Sequence, residues 1–584
     1  EQPPSVMSDQ SIAVYINWDG FANYYIEIAE KQNKIPTLSW IKNTAGVFFP
    51  NAFTSIPSIT NPMQVAIASG TTPRYTDNHY RYFNKKLNMV IQEDPPRKNE
   101  AETLAEAANR QNLEVISINQ FAFLNRGTVV GEPTKAYINT PENLGGHSDA
   151  AARFDEAINL IKNQQSGNIS FKRIPRFIAL YMDDLDGIGH NETSKFGLGM
   201  APTELVRQQA VVDRLALMDR KLGEFIQTCQ AAGIYEQMSF VLTADHGMAS
   251  FGSQQPENTE GKQTKLFELI AAIESLGAGF KCEVLHPNNG TKTPAADTDI
   301  AVVTVGLQVQ LSYIGQFDSN VIRSKNEKII AVLKDQPYIG KIMGREELTA
   351  RGVKSGFADL VISPQIPYHF HLSVLKSMTA RGQHDSLADA AQRVAAFMWG
   401  RGVKAGYTYQ APVFNYDFIP TIAKLLNINP PLDATGNVLY DALSGPVAVA
   451  ENSVKLEDDQ AVLAGATFRY NDLLASGGTV CNLYGRQSAL EFSNVPATTK
   501  MVIQYAAVDN GKLALYVNNQ LVRDVFFPET SGSVAKYDQK TINLSLSEGD
   551  VIKFVNDDAR GGIGVEIDAI TFLMPLNSVL PVDN

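Results

Sequence analysis

Cysteine is scarce in this chain: three in 584 residues, at Cys229, Cys282 and Cys481. That excludes a disulfide framework and a Cys-based zinc site, and leaves room for one bridge at most. Tryptophan is equally rare, and Trp18, Trp40 and Trp399 all lie before residue 400. Long apolar runs are missing too, since no stretch approaches the roughly 18 residues of a transmembrane helix. Positive charge is in deficit, with 50 Lys and Arg against 62 Asp and Glu and a formal net charge of −12. The average field therefore repels duplex nucleic acid. What remains is globular composition, 44% hydrophobic and 19% charged, over a length that calls for two domains or one elaborated one. The polar opening (EQPPSVMSDQ) fits a secreted or periplasmic protein after loss of a signal peptide, and equally a trimmed chain.

Up to about residue 445, short apolar runs rich in β-formers (Ile12–Trp18, Phe177–Met182, Phe240–Thr243) alternate with helical patterns (Glu100–Gln111, Glu204–Ala232). This predicts an α/β fold on a central, mostly parallel, buried sheet. Asn289–Thr298, rich in Asn, Thr and Pro, reads as a surface loop. After Leu443 the pattern changes to short alternating strands: Leu490–Phe492, Met501–Ala506, Leu513–Val517, Thr541–Leu546 and Val551–Phe554. Turn signals separate them without a long helical pattern, which predicts an all-β sandwich. The expected division is 1–445 and 446–584.

Three predicted strands run into acidic residues: Asp19-Gly20, Asp183-Asp184-Leu185-Asp186 followed by Gly-Ile-Gly-His190, and Asp245-His246-Gly247. In open α/β sheets the carboxyl ends of strands form the ligand crevice, so these groups can converge although far apart in sequence. A site of His and Asp without Cys suits zinc or another divalent first-row ion. Each fragment alone reads as a turn or a structural histidine; three together point to a metal centre. The two glycines between Asp186 and His190 are expected to let the backbone fold both side chains toward one ion. Ile56–Pro62 leads into a plausible helix (MQVAIAS) with Pro62 in its first turn. Thr60 then stands at a helix N-terminus that favours an anion, either as nucleophile or as a helix cap. Thr54, Ser55 and Ser58 compete with it.

In order along the chain stand Asp19-Gly-Phe, Pro57-Ser-Ile-Thr60-Asn-Pro62, Gly70-Thr-Thr-Pro73, Asp186-Gly-Ile-Gly-His190, Thr243-Ala-Asp-His-Gly-Met248 and Gly382-Gln-His384. This series resembles the alkaline phosphatase superfamily, and within it the nucleotide pyrophosphatase/phosphodiesterase branch. Phe414–Leu426 is similar to the segment that closes the catalytic domain there. The resemblance implies an alkaline-phosphatase-like α/β catalytic domain acting on a small phosphoester, with two zinc ions, manganese or iron being alternatives. Matched motif by motif, Asp186, His190 and His384 hold one ion. Asp19, Asp245, His246 and the Thr60 oxygen hold the other, and Thr60 forms a phospho-enzyme. Where the family commonly carries a downstream Pro-x-x-His-Gly, this chain has Pro73-Arg-Tyr-Thr-Asp-Asn78-His-Tyr-Arg-Tyr. Asn78 becomes the candidate for binding a phosphate oxygen, and Tyr75, Tyr80 and Tyr82 for lining the pocket. The insertion at about 250–380 is expected to shape substrate choice. A sulfatase is disfavoured, because no Cys or Ser lies in the formylglycine motif. The alternative on the same core is a phosphomonoesterase, with Arg74 or Arg81 gripping the extra charge.

Val454–Asp459, Leu490–Pro496, Leu515–Asn518, Val525–Pro528 and Ile567–Ile570 resemble carbohydrate-binding modules of the galactose-binding-like jelly-roll type. The resemblance implies a structural calcium at Glu457 and Asp568 and a glycan partner. With tryptophan absent from this region, the platform would fall to Tyr470, Tyr484 or Tyr537. The reading of another class is thus a glycan-binding surface protein with a decayed enzyme core.

Overall fold

Five apolar strands, β1 (Ile12–Trp18), β2 (Val115–Ile118), β3 (Phe177–Met182), β4 (Met238–Thr243) and β5 (Ala396–Gly400), run through the middle of a nine-stranded sheet. The computed structural model describes residues 10–142, 147–192, 196–252, 263–288, 292–372, 380–445, 451–533 and 535–575. From one edge the sheet runs Tyr407–Thr408, Gly46–Phe48, β5, β4, β1, β3, β2, Lys135–Ile138, Val129–Val130. Every residue of β1, β3 and β4 is buried, as continuous apolar strands covered on both faces must be. β1 lies between β3 and β4 and parallel to both, with Trp18 opposite Met182 and Asn17 opposite Thr243. This register brings the segments after all three strands out at the same carboxyl end of the sheet. β5 runs antiparallel to β4, so the sheet is mixed and mostly parallel.

Three helices bear on that end. α1 (Thr60–Ala68) is buried over most of its length. α2 (Asp184–Gly189) follows β3 directly. α3 (Glu204–Ala231) packs on α2 and buries Val211, Leu215, Met218, Leu222 and Phe225, the apolar stripe expected from the sequence. The helix predicted over Glu100–Gln111 is shorter, Leu104–Arg110, because Thr103 and Glu106 close a reciprocal capping box three residues after the expected start.

The insertion is an α+β unit that periodicity alone did not resolve. Its five strands run in the order Cys282–Leu285, Ile300–Val305, Gln308–Tyr313, Leu360–Pro364, Ile339–Gly344. Ile300, Val302, Leu311, Tyr313 and Leu360 share a core with helices Leu266–Glu274 and Ser319–Leu333. Its two ends are zipped together, Ala249–Gly252 pairing antiparallel with Ala380–Gln383. The chain thus leaves just after His246 and returns just before His384. Of the predicted loop Asn289–Thr298, residues 289–291 lie outside the described residues, and the rest carries no regular element.

Two antiparallel sheets of six and five strands form the C-terminal region. Their core includes Leu490, Phe492, Met501, Leu515, Phe527, Phe554 and Phe572, and also takes in Leu432. The predicted strand Thr541–Leu546 is Asp538–Ile542 instead. The chain leaves the sheet at Asn543, whose N–H donates to Leu432 O and whose amide donates to Pro431 O and Ala434 O. Beside it the buried Lys540 donates to Asp433 at 2.6 Å, Arg74 pairs with Asp538, and Asn510 reaches Asp77. The sandwich is therefore bonded to residues 74–77 and 431–434, close to the end of α1. The expected junction falls at 446–450, outside the described residues.

Candidate active site

At the shared carboxyl end of the strands, the segments after β1, β3 and β4 bring Asp19, Asp186 and Asp245 together with His190, His246 and His384. His246 Nε2 lies 3.1 Å from Asp19 Oδ1, 3.3 Å from Asp245 Oδ2 and 3.9 Å from Asp186 Oδ1. Asp186 Oδ1 is also 3.2 Å from His190 Nε2 and 3.5 Å from His384 Nε2. Two sets of ligand atoms lie close enough to hold a metal ion: Asp186, His246 and His384, and Asp19, Asp245 and His246.

The spacing Asp186–His190 works differently from the expected glycine turn. Asp186 lies in α2 and His190 caps its C-terminal end, so the four-residue interval puts both on one helical face. The glycines serve close packing instead. A Cβ on Gly187 would stand 2.7 Å from His147 Nδ1, and one on Gly189 3.0 Å from Met248 Cε. Gly20 adopts φ +76, and a Cβ there would stand 2.9 Å from Asp186 Cα, so only glycine lets the loop after β1 approach α2.

Each imidazole is fixed through its far nitrogen. His190 Nδ1 bonds Gly382 O at 2.8 Å, His246 Nδ1 bonds Gly247 O at 2.8 Å, and His384 Nδ1 bonds Ser58 O at 2.7 Å. A carbonyl only accepts, so these contacts assign the proton to Nδ1 and turn the Nε2 lone pairs into the cluster. The carboxylates are split in the same way. Tyr181 donates to Asp19 Oδ2, and the N–H groups of Gly20 and His246 donate to Asp245 Oδ1. Asp19 Oδ1, Asp186 Oδ1 and Asp245 Oδ2 are buried without a hydrogen-bond partner. Three orphaned carboxylate oxygens facing three imidazole lone pairs are a donor set suited to divalent metal, because buried anions are costly unless compensated.

Burial and the carboxylate of Asp19 push the Asp245 pKa well above its ordinary value. Burial opposes charge on His246, yet Asp245 and Asp19 override it and raise its pKa to about 10. Burial and neighbouring His246 hold His384 well below the usual imidazole range. Burial pushes the Asp385 carboxyl up to about 7.

Thr60 is the first residue of α1, and the cap position is Ile59. The Thr60 side chain makes no capping bond; its Oγ1 lies 3.1 Å from His246 Nε2. The N–H groups of Thr60 and Asn61 have no backbone acceptor among the described residues. They leave a positive helix end beside the hydroxyl. Thr54 and Ser58, the nearby competitors, are committed elsewhere: Thr54 donates to Asp245 O and Ser58 to His384 O.

The structure corrects the expected substrate residues. Asn78 is fully buried and donates to Pro96 O at 2.9 Å and Lys98 O at 3.0 Å. Its amide hydrogens are therefore spent on a loop and not offered to a phosphate. Tyr75 bonds Gln539 O on the sandwich, Tyr82 takes a bond from Lys354, and Tyr80 packs on Phe83 and Val90. Arg74 pairs with Asp538, and Arg81 bonds Gln92 and Thr304 O, so neither is available to grip a substrate charge as expected. Sequence reasoning missed Tyr181, whose signal was only its place two residues before Asp183, and Arg97, which bonds Asn61 Oδ1 at 3.3 Å.

In the C-terminal region Glu457 and Asp568 do meet, both bonded to Ser476. Tyr470 and Tyr537 donate to Glu566 and Asp472. Cys229, Cys282 and Cys481 are free thiols. Among the described residues no helix is long and apolar enough to cross a membrane.

Residues 13–294 match the family described as type I phosphodiesterase / nucleotide pyrophosphatase. No curated protein matches the chain in sequence. Among solved structures, murine ectonucleotide pyrophosphatase / phosphodiesterase 5 is 15% identical, covering 74% of this chain and 100% of its own, with a TM-score of 0.48. An inactive variant of the murine protein in complex with AMP gives 15% and 0.49, and the human protein 14% and 0.48, with the same coverage. By this family match and the ordered motifs, residues 13–294 are similar to the nucleotide pyrophosphatase/phosphodiesterase-like branch of the alkaline phosphatase superfamily.

Proposed function

We propose that this chain hydrolyses phosphate diesters through a covalent phospho-threonine on Thr60. The observation that carries this is the Thr60 hydroxyl at a helix N-terminus, 3.1 Å from His246 Nε2 and beside three orphaned carboxylate oxygens. Asp186, His190 and His384 would hold one zinc ion, and Asp19, Asp245, His246 and the Thr60 oxygen the other. His and carboxylate ligands also accommodate manganese or iron. Bound there, the pair supplies Lewis-acid charge neutralisation and lowers the pKa of coordinated hydroxyls.

The chain's own groups account for the rest. The Thr60 hydroxyl gives up its proton, its oxygen bonds to phosphorus as the P–O bond to one ester group breaks, and the departing oxygen takes up a proton to leave as the alcohol. The N–H groups of Thr60 and Asn61 donate hydrogen bonds to the non-bridging oxygens as charge builds on them. Water then attacks the phospho-threonine, restoring the hydroxyl and releasing a phosphomonoester. The carbonyls of Ser58, Gly247 and Gly382 keep each imidazole turned into the site throughout.

The test is kcat/KM of the zinc-loaded protein for bis-(p-nitrophenyl) phosphate against p-nitrophenyl phosphate, repeated with chelator and with Thr60→Ala. A ratio above one, lost with chelator and with Thr60→Ala, is expected. A ratio below one would replace the diesterase reading by a monoesterase, and normal turnover by Thr60→Ala would end the nucleophile assignment.

The same reading places this enzyme outside the cytoplasm and divides the chain near residue 445. It also assigns a structural calcium to Glu457 and Asp568, supported by their convergence on Ser476 and testable as a calcium-dependent rise in melting temperature. A glycan partner for the sandwich has less support, because Tyr470 and Tyr537 are engaged by neighbouring side chains.

A further inference from the structure

The insertion reaches the metal-type cluster through the tip of one hairpin. Strands Ile300–Val305 and Gln308–Tyr313 pair antiparallel, with Gly306 and Leu307 as the turn between them. Gly306 adopts φ +57, and a Cβ there would stand 2.5 Å from Asp385 Cβ. Only glycine therefore lets the turn close on the residue that follows His384. The Leu307 N–H donates to Asp385 O at 3.1 Å. Gln308 Nε2 donates to Asp385 Oδ1 at 3.0 Å, and its Oε1 accepts from Ser363 Oγ at 2.6 Å. Ser363 Oγ in turn accepts from the Leu387 N–H at 2.7 Å. Gln308, Ser363 and Asp385 are all buried.

His384 depends on such support more than the other ligands do. Asp19, Asp245 and His246 follow strands of the central sheet, and Asp186 and His190 belong to α2 and its cap. His384 instead follows Ala380–Gln383, which pairs with Ala249–Gly252 and not with the central sheet, and residues 384–388 form no helix or strand. Ser58 holds His384 itself, through its carbonyl to Nδ1 and through its hydroxyl to the His384 carbonyl. The insertion holds what comes next, through Asp385 and Leu387. Asp385 Oδ2 is already buried without a hydrogen-bond partner. Removing Gln308 would take a donor from a buried carboxylate that is short of one, and such a group shifts toward any donor or solvent it can reach. That shift would carry the adjoining His384 with it.

We infer that Gln308, acting through Asp385, positions His384 for its ion, so that the hairpin of the insertion completes the metal site. The inference rests on the metal-centre reading of the Asp and His cluster. Gln308 is a positioning residue and contacts neither ion nor substrate. Tight binding needs each ligand atom within about 0.2 Å of its proper distance, and loss of an outer partner of a ligand typically costs roughly 10–100-fold in metal affinity. Gln310 supplies the comparison. It lies two residues further along the same strand, hence on the same face, is equally buried, and donates to Arg81 O at 2.9 Å instead of to Asp385.

The test titrates zinc into metal-free full-length protein against a chromogenic competing chelator, a readout that needs no turnover. Wild type, Gln308→Leu, Gln310→Leu, His384→Ala and the double variant Gln308→Leu/His384→Ala are compared, each checked for folding by thermal melting without metal. Wild type is expected to take up a pair of zinc ions. Gln308→Leu should bind one of them as wild type does and the other roughly 10–100-fold more weakly, while Gln310→Leu binds both normally. Adding Gln308→Leu to His384→Ala should have no further effect, because the ligand it positions is already gone. Should Gln308→Leu not fold, Gln308→Asn, one methylene too short to reach Asp385, carries the same prediction. Wild-type zinc binding in the Gln308 variant, an equal loss of both ions, the same loss in Gln310→Leu, or an additive loss in the double variant would overturn the inference and leave the metal centre standing. A wild type that binds no zinc would refute the metal-centre reading and the inference with it.

Discussion

The Thr60 hydroxyl lies 3.1 Å from Nε2 of His246, and the bond from His246 Nδ1 to Gly247 O keeps that ring edge turned toward the hydroxyl. The Thr60 oxygen thus stands at the edge of the cluster of Asp19, Asp186, Asp245 and His246. Thr60→Ser keeps this hydroxyl and should retain measurable turnover. Thr60→Ala should lose on the order of 10³-fold or more in kcat, with the metal content of the two variants equal. Steady-state kinetics with elemental analysis checks both, and equal kcat in the two variants would contradict the assignment.

Metal removal should leave a protein destabilised by its own carboxylates. The Asp245 pKa is raised above its ordinary 3.8 in the folded state, so the folded protein binds more protons than the unfolded one above that pH. Stability of the metal-free protein is then full below pH 3.8 as far as this group is concerned, and falls as pH rises through the folded value. Asp245→Asn should raise the melting temperature of the metal-free protein at neutral pH and abolish the further rise on adding zinc. For wild type, that rise corresponds to about 4 kcal/mol at a thousandfold excess over Kd. A metal-free Asp245→Asn protein less stable than metal-free wild type would refute this account of the cluster.

Gln64, four residues after Thr60, donates to Asn17 at 2.8 Å and accepts from Gln120 at 3.1 Å, all three side chains being fully buried. This amide chain ties α1 to the strand that ends in Asp19. Gln64→Leu strands two buried partners and should cost about 1–3 kcal/mol in denaturant unfolding. A displaced Thr60 should lower kcat more than it raises KM. A change in KM alone would mean that the chain supports substrate contacts and not the nucleophile.

Lys540 and Asp433 form a buried pair across the junction with the sandwich. Lys540→Met leaves the buried Asp433 carboxylate with only the more distant Arg523, 3.7 Å away, and should destabilise by at most about 3–5 kcal/mol. Adding Asp433→Asn should recover part of that loss, because the amide can still accept the Glu102 N–H that bonds Asp433. Chemical denaturation of the single and double variants measures this; equal destabilisation would show that the pair is screened by solvent.

The reach of sequence reasoning follows from what is local. β1, β3 and α3 were legible because an apolar run or stripe has no other way to be buried, and the acids that follow these strands were legible as consequences of their ends. His384 was placed by resemblance alone; what brings it to the site is the pairing of Ala249–Gly252 with Ala380–Gln383 across the insertion. Asn78 was misread because its residue type suits a phosphate, whereas its hydrogen bonds belong to the carbonyls of Pro96 and Lys98. Arg97 was invisible for the same reason: a lone arginine in a loop carries no pattern until that loop is folded against Asn61. The three tyrosines marked for the pocket went to packing and docking, since the partners that claim them come from Gln539, Lys354 and the strands beyond residue 80.

The central claim is the covalent intermediate on Thr60. The direct measurement is acid quench of the zinc-loaded protein during turnover of bis-(p-nitrophenyl) phosphate, followed by peptide mapping by mass spectrometry. The account predicts a p-nitrophenyl phosphoryl group on the peptide containing Thr60, absent in Thr60→Ala. An unmodified Thr60 peptide during a stoichiometric burst of p-nitrophenol, or modification of another residue, would contradict it.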